Sequence, residues 1–320
     1  MKKQQHRPGI ALLAGAMVVG MLVCGPAEAV DWSSVPATKI TLFYPGETSW
    51  EFLLIPSQHD GAEKFRGGKD CLECHKGEEP DMGKDMVTGK KHEPDPIPGK
   101  PGSLPVEVKT TYDSQSLYVQ LSWKDTGFKA PKPQSDKLLH VNMMLGDGTV
   151  PSFARGGCWA TCHNDMKGMP NAVAGKDLTK YLARSRTKVT AEGGDENYKS
   201  DSELKDMLSK DIFVEYWQAV IADKSAKAVP VDGYILEKRH VNEKPMISTE
   251  ASLKDGTWTV TLSRPLKASG PGEKNLSEGH TYYVGFAIHD GYADGRRHYV
   301  SFKRSLTLGG GDGELIAKKQ

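Results

Sequence analysis

The chain has 320 residues, 38% of them hydrophobic and 26% charged, with 42 Lys+Arg against 41 Asp+Glu and a formal net charge of +1. At ~100–200 residues per domain, that length allows one large domain or two modest ones. The near-neutral balance argues against a nucleic-acid protein with a basic face, and five cysteines are too few for a disulfide-stapled scaffold.

Residues 1–29 read as a secretory signal. Lys2, Lys3 and Arg7 give a basic start, residues 10–23 an apolar run, and Ala27-Glu28-Ala29 a small-x-small cleavage site. Cys24 lies inside this segment and leaves with it. Its acylation in a lipoprotein is the rival reading, opposed by the bulky Val23 before it. Mean hydropathy is −0.51, and no later apolar run approaches the ~20 residues that cross a bilayer, so no transmembrane segment is expected after cleavage. Export to the periplasm is expected, where four unprotected thiols would pair unless otherwise used.

The first expected strand covers 39–44, followed by a short apolar stretch at 50–55. Residues 56–103 are rich in Gly, Pro and Lys, and Pro94, Pro96, Pro98 and Pro101 argue against regular structure there. Within this segment stands Cys71-Leu72-Glu73-Cys74-His75, the C-x-x-C-H of covalent c-type haem attachment. Two thiols at that spacing reach the two vinyl groups of one porphyrin edge, and the next residue, His75, is placed to ligate iron. A thioredoxin-like pair or half a zinc site is the alternative. The exported context and the adjoining histidine weigh against both. For the opposite face of the iron, His59 in Gln58-His59-Asp60-Gly61 is the first candidate, with His92, Met82 and Met86 within loop reach. A lone exposed histidine is the bland alternative.

Alternating strands follow at 106–112 and 116–123, the second placing Leu117, Val119, Leu121 and Trp123 on one face. A strand at 138–145 carries Met143 and Met144, which are either thioether ligands or core filling. Next comes Cys158-Trp159-Ala160-Thr161-Cys162-His163, the same attachment logic with one extra spacer residue. A local disulfide is its bland reading. As a second site it makes His163 an iron ligand and uses all remaining cysteines, giving two covalent haems. Helical stretches are expected at 172–188 and 201–210. Residues 213–221 are apolar in both registers, so strand and buried helix are not separated there. Strands at 234–238, 257–263, 281–288 and 298–303 complete the series. The last holds His298 as a candidate ligand of the second iron, and Arg296-Arg297 as candidates to steady a propionate. Gly309-Gly310-Gly311-Asp312-Gly313 reads as a flexible turn in a C-terminal tail, 309–320, with no phosphate-loop context.

Several ordered motifs resemble one family. Gly157 to Met166 around the second cysteine pair, Trp258-Thr259-Val260, Ser263-Arg264-Pro265-Leu266 and Gly285-Phe286-Ala287-Ile288-His289-Asp290-Gly291 are similar to the ethylbenzene-dehydrogenase-related, dimethyl-sulfoxide-reductase-like haem-binding family. The resemblance covers residues 104–308. It implies a mainly β fold, an antiparallel β-sandwich of the DOMON and carbohydrate-binding-module kind, used for electron transfer. In the family's haem-b subunits a methionine and a lysine ligate a non-covalent haem. The methionine region falls loosely on Met143 and Met144, and the lysine position on His298. The expected organisation is a signal at 1–29, a first haem segment at 30–103, a sandwich with the second haem at 104–308, and a tail. The expected function is that of a periplasmic dihaem c-type cytochrome. It would pass electrons between redox partners, a membrane quinol-oxidising cytochrome or a periplasmic reductase or dehydrogenase. The alternative is a haem enzyme with one open iron, reducing a small oxyanion or peroxide.

Overall fold

The computed structural model describes residues 30–46, 56–57, 59–91, 93, 95–160, 189–190, 193–194, 200–236, 239–293 and 297–320. Alternation of apolar and polar residues produces most of its strands. They run β1 Thr38–Phe43, β2 Ser103–Tyr112, β3 Ser116–Lys124, β4 Leu139–Gly146, β5 Val214–Ile221, β6 Ala228–Ile235 and β7 Arg239–Val241. They continue with β8 Ser248–Lys254, β9 Thr257–Pro265, β10 Thr281–His289, β11 Tyr299–Val300, β12 Arg304–Leu308 and β13 Leu315–Lys319. Among the described residues these form a 13-stranded sheet in the order β8-β9-β3-β2-β1-β11-β10-β4-β5-β6-β7, with β12 on β10 and β13 joining β12 to β2. All but the two pairings of β13 are antiparallel.

The continuous sheet folds over on itself into a sandwich. Strand β1 makes the corner: six of its residues pair with β2, and Phe43 pairs with Val300 of β11. One half turns Leu117, Val119, Leu121, Trp258, Val260 and Leu262 inward; the other offers Val141, Met143, Trp217, Ala219, Phe286 and Ile288 to the same cluster. Arg264 of β9 and Glu215 of β5 meet across this core at 3.0 Å, both almost fully buried. Burial pushes the Glu215 carboxyl up, while the Arg264 guanidinium and the Trp217 indole N–H pull it back. The indole N–H donates to Glu215 Oε1 at 3.0 Å.

The strand at 214–221 shows why its periodicity is ambiguous: both of its faces are covered. Trp217, Ala219 and Ile221 enter the main core, and Val214 and Tyr216 enter a second buried cluster on the outer face. Strands β4 and β10 are buried on both sides in the same way. That second cluster is where the cysteines lie.

Two expectations give way here. The segment at 56–103 contains three short helices, α1 Ala62–Arg66, α2 Cys71–His75 and α3 Glu79–Val87. Pro80 stands in the first turn of α3, where its missing N–H costs nothing. Regular structure stops after Val87, in the proline-rich stretch. Met86, Val87 and Ile97 belong to the main core, so this segment is anchored on the sandwich. The expected tail forms a strand, β13, because Leu315 and Ala317 alternate into the core after the glycine turn. Two further helices, α4 Pro151–Gly156 and α5 Asp201–Ser209, frame the outer face. The helix expected at 172–188 lies outside the described residues, as does the stretch at 50–55.

Candidate haem sites

Helix α2 is five residues long and depends on its cap. Asp70 Oδ1 accepts the Glu73 backbone N–H at 2.9 Å, and the Asp70 N–H donates to Glu73 Oε2 at 2.7 Å, a reciprocal capping box. This one turn holds Cys71 buried and Cys74 exposed, both unbridged, and ends at His75. Burial, reinforced by Asp70, pushes the Cys71 thiol up to about 12.

His75 Nδ1 lies 2.9 Å from Glu78 Oε2. A carboxylate on one ring nitrogen fixes the ring and leaves the other, Nε2, for a metal. The His59 ring faces it with centroids 6.0 Å apart and planes 31° from parallel. Two imidazoles sharing one metal, each nitrogen about 2 Å from it, have centroids roughly 6 Å apart. The separation of the two rings beside the Cys71/Cys74 turn matches what a shared iron would need. Of the other candidates, Met86 is buried in the main core, Met82 packs beside both clusters, and His92 lies outside the described residues.

The second motif is described as far as Ala160. Cys158 sits in a 3-10 turn, Gly157–Ala160, directly after α4. Cys162 and His163 lie outside the described residues. The turn lies hard against the sheet. A Cβ on Gly285 would stand 2.4 Å from the Cys158 backbone nitrogen, and one on Gly157, whose φ is +65°, 2.5 Å from the Lys303 nitrogen. Only glycine serves at both. Met144, Phe153, Ala287 and Phe302 share the outer cluster with Cys158.

Strand alternation sets what shares this outer face. Met144 and Asn142 of β4 pair with Gly285 and Ala287 of β10, and with Tyr216 and Gln218 of β5. Asn142 Oδ1 accepts from Tyr216 Oη at 3.1 Å and from Gln218 Nε2 at 2.7 Å. Farther along, His140 pairs with His289. Their ring centroids are 5.6 Å apart, and His298 stacks on His289 at 4.3 Å and 14°. From Gly285 to His289 is four strand positions, roughly 13 Å at ~3.3 Å each.

The methionine pair is thereby separated: Met143 points into the main core as packing, and Met144 lies beside Cys158. His298 is buried on the His289 ring. Of the propionate candidates, Arg296 lies outside the described residues and Arg297 is half-buried. The sequence offers Glu78-Glu79 and Asp81 as charges that could tune the first haem's potential or simply as a solvated acidic loop, but it gives Glu78 no part in holding His75, and no role to Phe302, His140 or His289. For the last two the signal was present in the period-2 runs His140-x-Asn142-x-Met144 and Gly285-x-Ala287-x-His289. For Glu78 it was the three-residue spacing from His75. Phe302 had none.

A C-x-x-C-H turn and a facing histidine, mounted on a mainly β sandwich, define a c-type cytochrome with covalently bound haem, a protein of electron transfer. The ethylbenzene dehydrogenase family matches residues 29–246 and 235–301, and the chain belongs to that family. It is 33% identical over 323 residues to a cytochrome c-552 from Stutzerimonas stutzeri, covering 100% of both chains. It is 32% identical over 296 residues to a cytochrome c-551 from Rhodocyclus tenuis, covering 91% of this chain and 100% of that one. Among solved structures, a family 9 carbohydrate-binding module from Caldicellulosiruptor kristjanssonii matches with a TM-score of 0.29 and 11% identity, over 62% of this chain and 65% of that one. That likeness is too slight to bear on ligand or function.

Proposed function

We propose that this chain is a periplasmic dihaem c-type cytochrome that carries single electrons between a respiratory donor, such as a quinol-oxidising membrane cytochrome, and a periplasmic reductase or dehydrogenase. The observation that carries the reading is the 6.0 Å separation of the His59 and His75 rings beside the Cys71/Cys74 turn. Each haem, when bound, supplies a one-electron iron couple. The protein's part is to hold its ligands still. Asp70 and Glu73 fix the turn, and Glu78 fixes the His75 ring and raises its basicity. His59 fills the position that a substrate would need.

Cys158, Cys162 and His163 hold the second haem in this reading, with His298 as the first-choice partner ligand. Export follows from the signal at 1–29, and among the described residues no helix is long and apolar enough to cross a membrane. A net charge of +1 suits docking to another protein better than to nucleic acid. The enzyme reading has one observation in its favour, the hydrogen-bonded Asn142, Gln218 and Tyr216 on the sheet face shared with Met144. Intact mass of the exported protein, with N-terminal sequencing, tests the reading. Two haems and a chain starting at Val30 support it; one haem, or a retained leader, overturns it. Carbon monoxide added to the reduced protein decides between carrier and enzyme. An unchanged spectrum supports the carrier.

A further inference from the structure

Three consecutive residues leading into β12 grip the first attachment peptide. Phe302 stacks near the His75 ring, with centroids 6.1 Å apart and planes 21° from parallel, and packs on Phe43 at 4.8 Å. Lys303 Nζ bonds Asp70, the cap of α2, at 3.0 Å. Arg304 Nη2 donates to Glu79 Oε1 at 3.3 Å, and both residues are buried. The other oxygen of Glu79 accepts the Gly77 N–H at 2.8 Å, inside the turn that joins His75 to α3. Arg304 is itself held from the far side. Its Nη1 donates to Glu314 Oε1 at 2.9 Å, and Glu314 Oε2 accepts the Ser305 N–H at 3.2 Å. The two neighbouring carboxylates thus have different duties: Glu78 meets the His75 ring, and Glu79 ties the turn's backbone to the sheet.

The geometry points to Arg304 as a positioning residue for the first haem: acting through Glu79, it fixes the turn that follows His75 and balances a buried negative charge there. This rests on the reading of His59 and His75 as that iron's ligands. Without its cation, Glu79 would be an uncompensated buried charge in surroundings that screen it poorly. Such a charge favours the oxidised, more positive iron and lowers its midpoint. The pairs Arg66–Glu63 and Lys90–Asp85 on the same peptide reach solvent, which screens them and removes that leverage.

Redox titration of the full-length exported protein followed by low-temperature EPR tests this. The first haem is identified as the one whose low-spin signal turns high-spin in His59→Ala. In Arg304→Gln its midpoint should fall and its EPR g-values shift. The reduced-to-oxidised ratio at a fixed poise should change roughly tenfold, about 59 mV for one electron. Glu79→Gln leaves Arg304 paired with Glu314, removes the negative charge, and should move the midpoint the opposite way. Loss of packing alone would not reverse sign between the two variants. Lys90→Met, in an exposed pair, should leave midpoint and g-values unchanged. Where Arg304→Gln does not fold, a rise in Glu79→Gln supports the proposal and its absence overturns it. Shifts of one sign in both variants, shifts in neither, or an equal shift in Lys90→Met overturn the proposal alone. No change of any low-spin signal in His59→Ala overturns the ligand reading itself.

Discussion

The imidazoles of His59 and His75 face each other at 6.0 Å although 16 positions separate them in the chain, and α1 with α2 brings them together. Replacing His59 with alanine is expected to leave the covalent haem in place while opening one axial position. The ferric spectrum should gain high-spin bands and the reduced protein should bind carbon monoxide. Absorption spectra of the variant before and after adding the gas check this.

Glu78 accepts from His75 Nδ1 and so makes the ring a stronger donor to a metal. Glu78→Gln keeps the shape and weakens that effect. One haem midpoint should rise, because the oxidised iron loses more stabilisation than the reduced one. A potentiometric titration in which neither midpoint moves would leave Glu78 without this role.

Gly285 leaves room for the Cys158 backbone that no side chain can share. Gly285→Ala is expected to displace the turn and lower occupancy of the second haem, while the first remains. Haem-stained mass analysis of the exported variant reads this directly.

Arg264 and Glu215 cross the core and are packed at 1% and 3% side-chain exposure. Arg264→Leu removes one partner and leaves a buried carboxyl, which costs about 3–5 kcal/mol. Denaturant unfolding should show a lower midpoint. The double change with Glu215→Leu should recover much of the loss.

The β2–β3 turn supplies a pH dependence. Burial alone would raise the Asp113 carboxyl. The Gln115 and Ser116 N–H groups and the Tyr118 hydroxyl outweigh it and hold the group below the usual carboxylate range. A depressed folded value means the stabilisation is present above the unfolded value and lost as pH falls through the folded one. Asp113→Ala should therefore cost stability at neutral pH, about 1–2 kcal/mol given the exposure of the turn. The gap to wild type should close toward acid pH. Thermal melts at neutral and acid pH measure it.

Local chemistry made the cysteine turns legible. C-x-x-C-H is a contiguous signal, and so are the period-2 strands β3 and β9, each with one covered face. Strands β4, β5 and β10 read poorly because two clusters cover them from both sides, which erases the alternation. Leu315–Lys319 was hidden because its pairing partners, β12 and β2, are set by the whole topology. At the sites, His59 stood out as a nearby polar histidine, yet only the fold brings its ring to 6.0 Å from that of His75. Phe302 carried no local mark, since its role comes from what lies on its two sides.

The most direct test of the central claim is low-temperature EPR on the oxidised protein after removal of the second attachment site, in Cys158→Ala/Cys162→Ala, with intact mass showing one haem. Two histidines on the first iron predict a low-spin ferric signal that becomes high-spin when His59 is also replaced. A high-spin signal before that replacement, or a low-spin signal indifferent to it, would contradict the account.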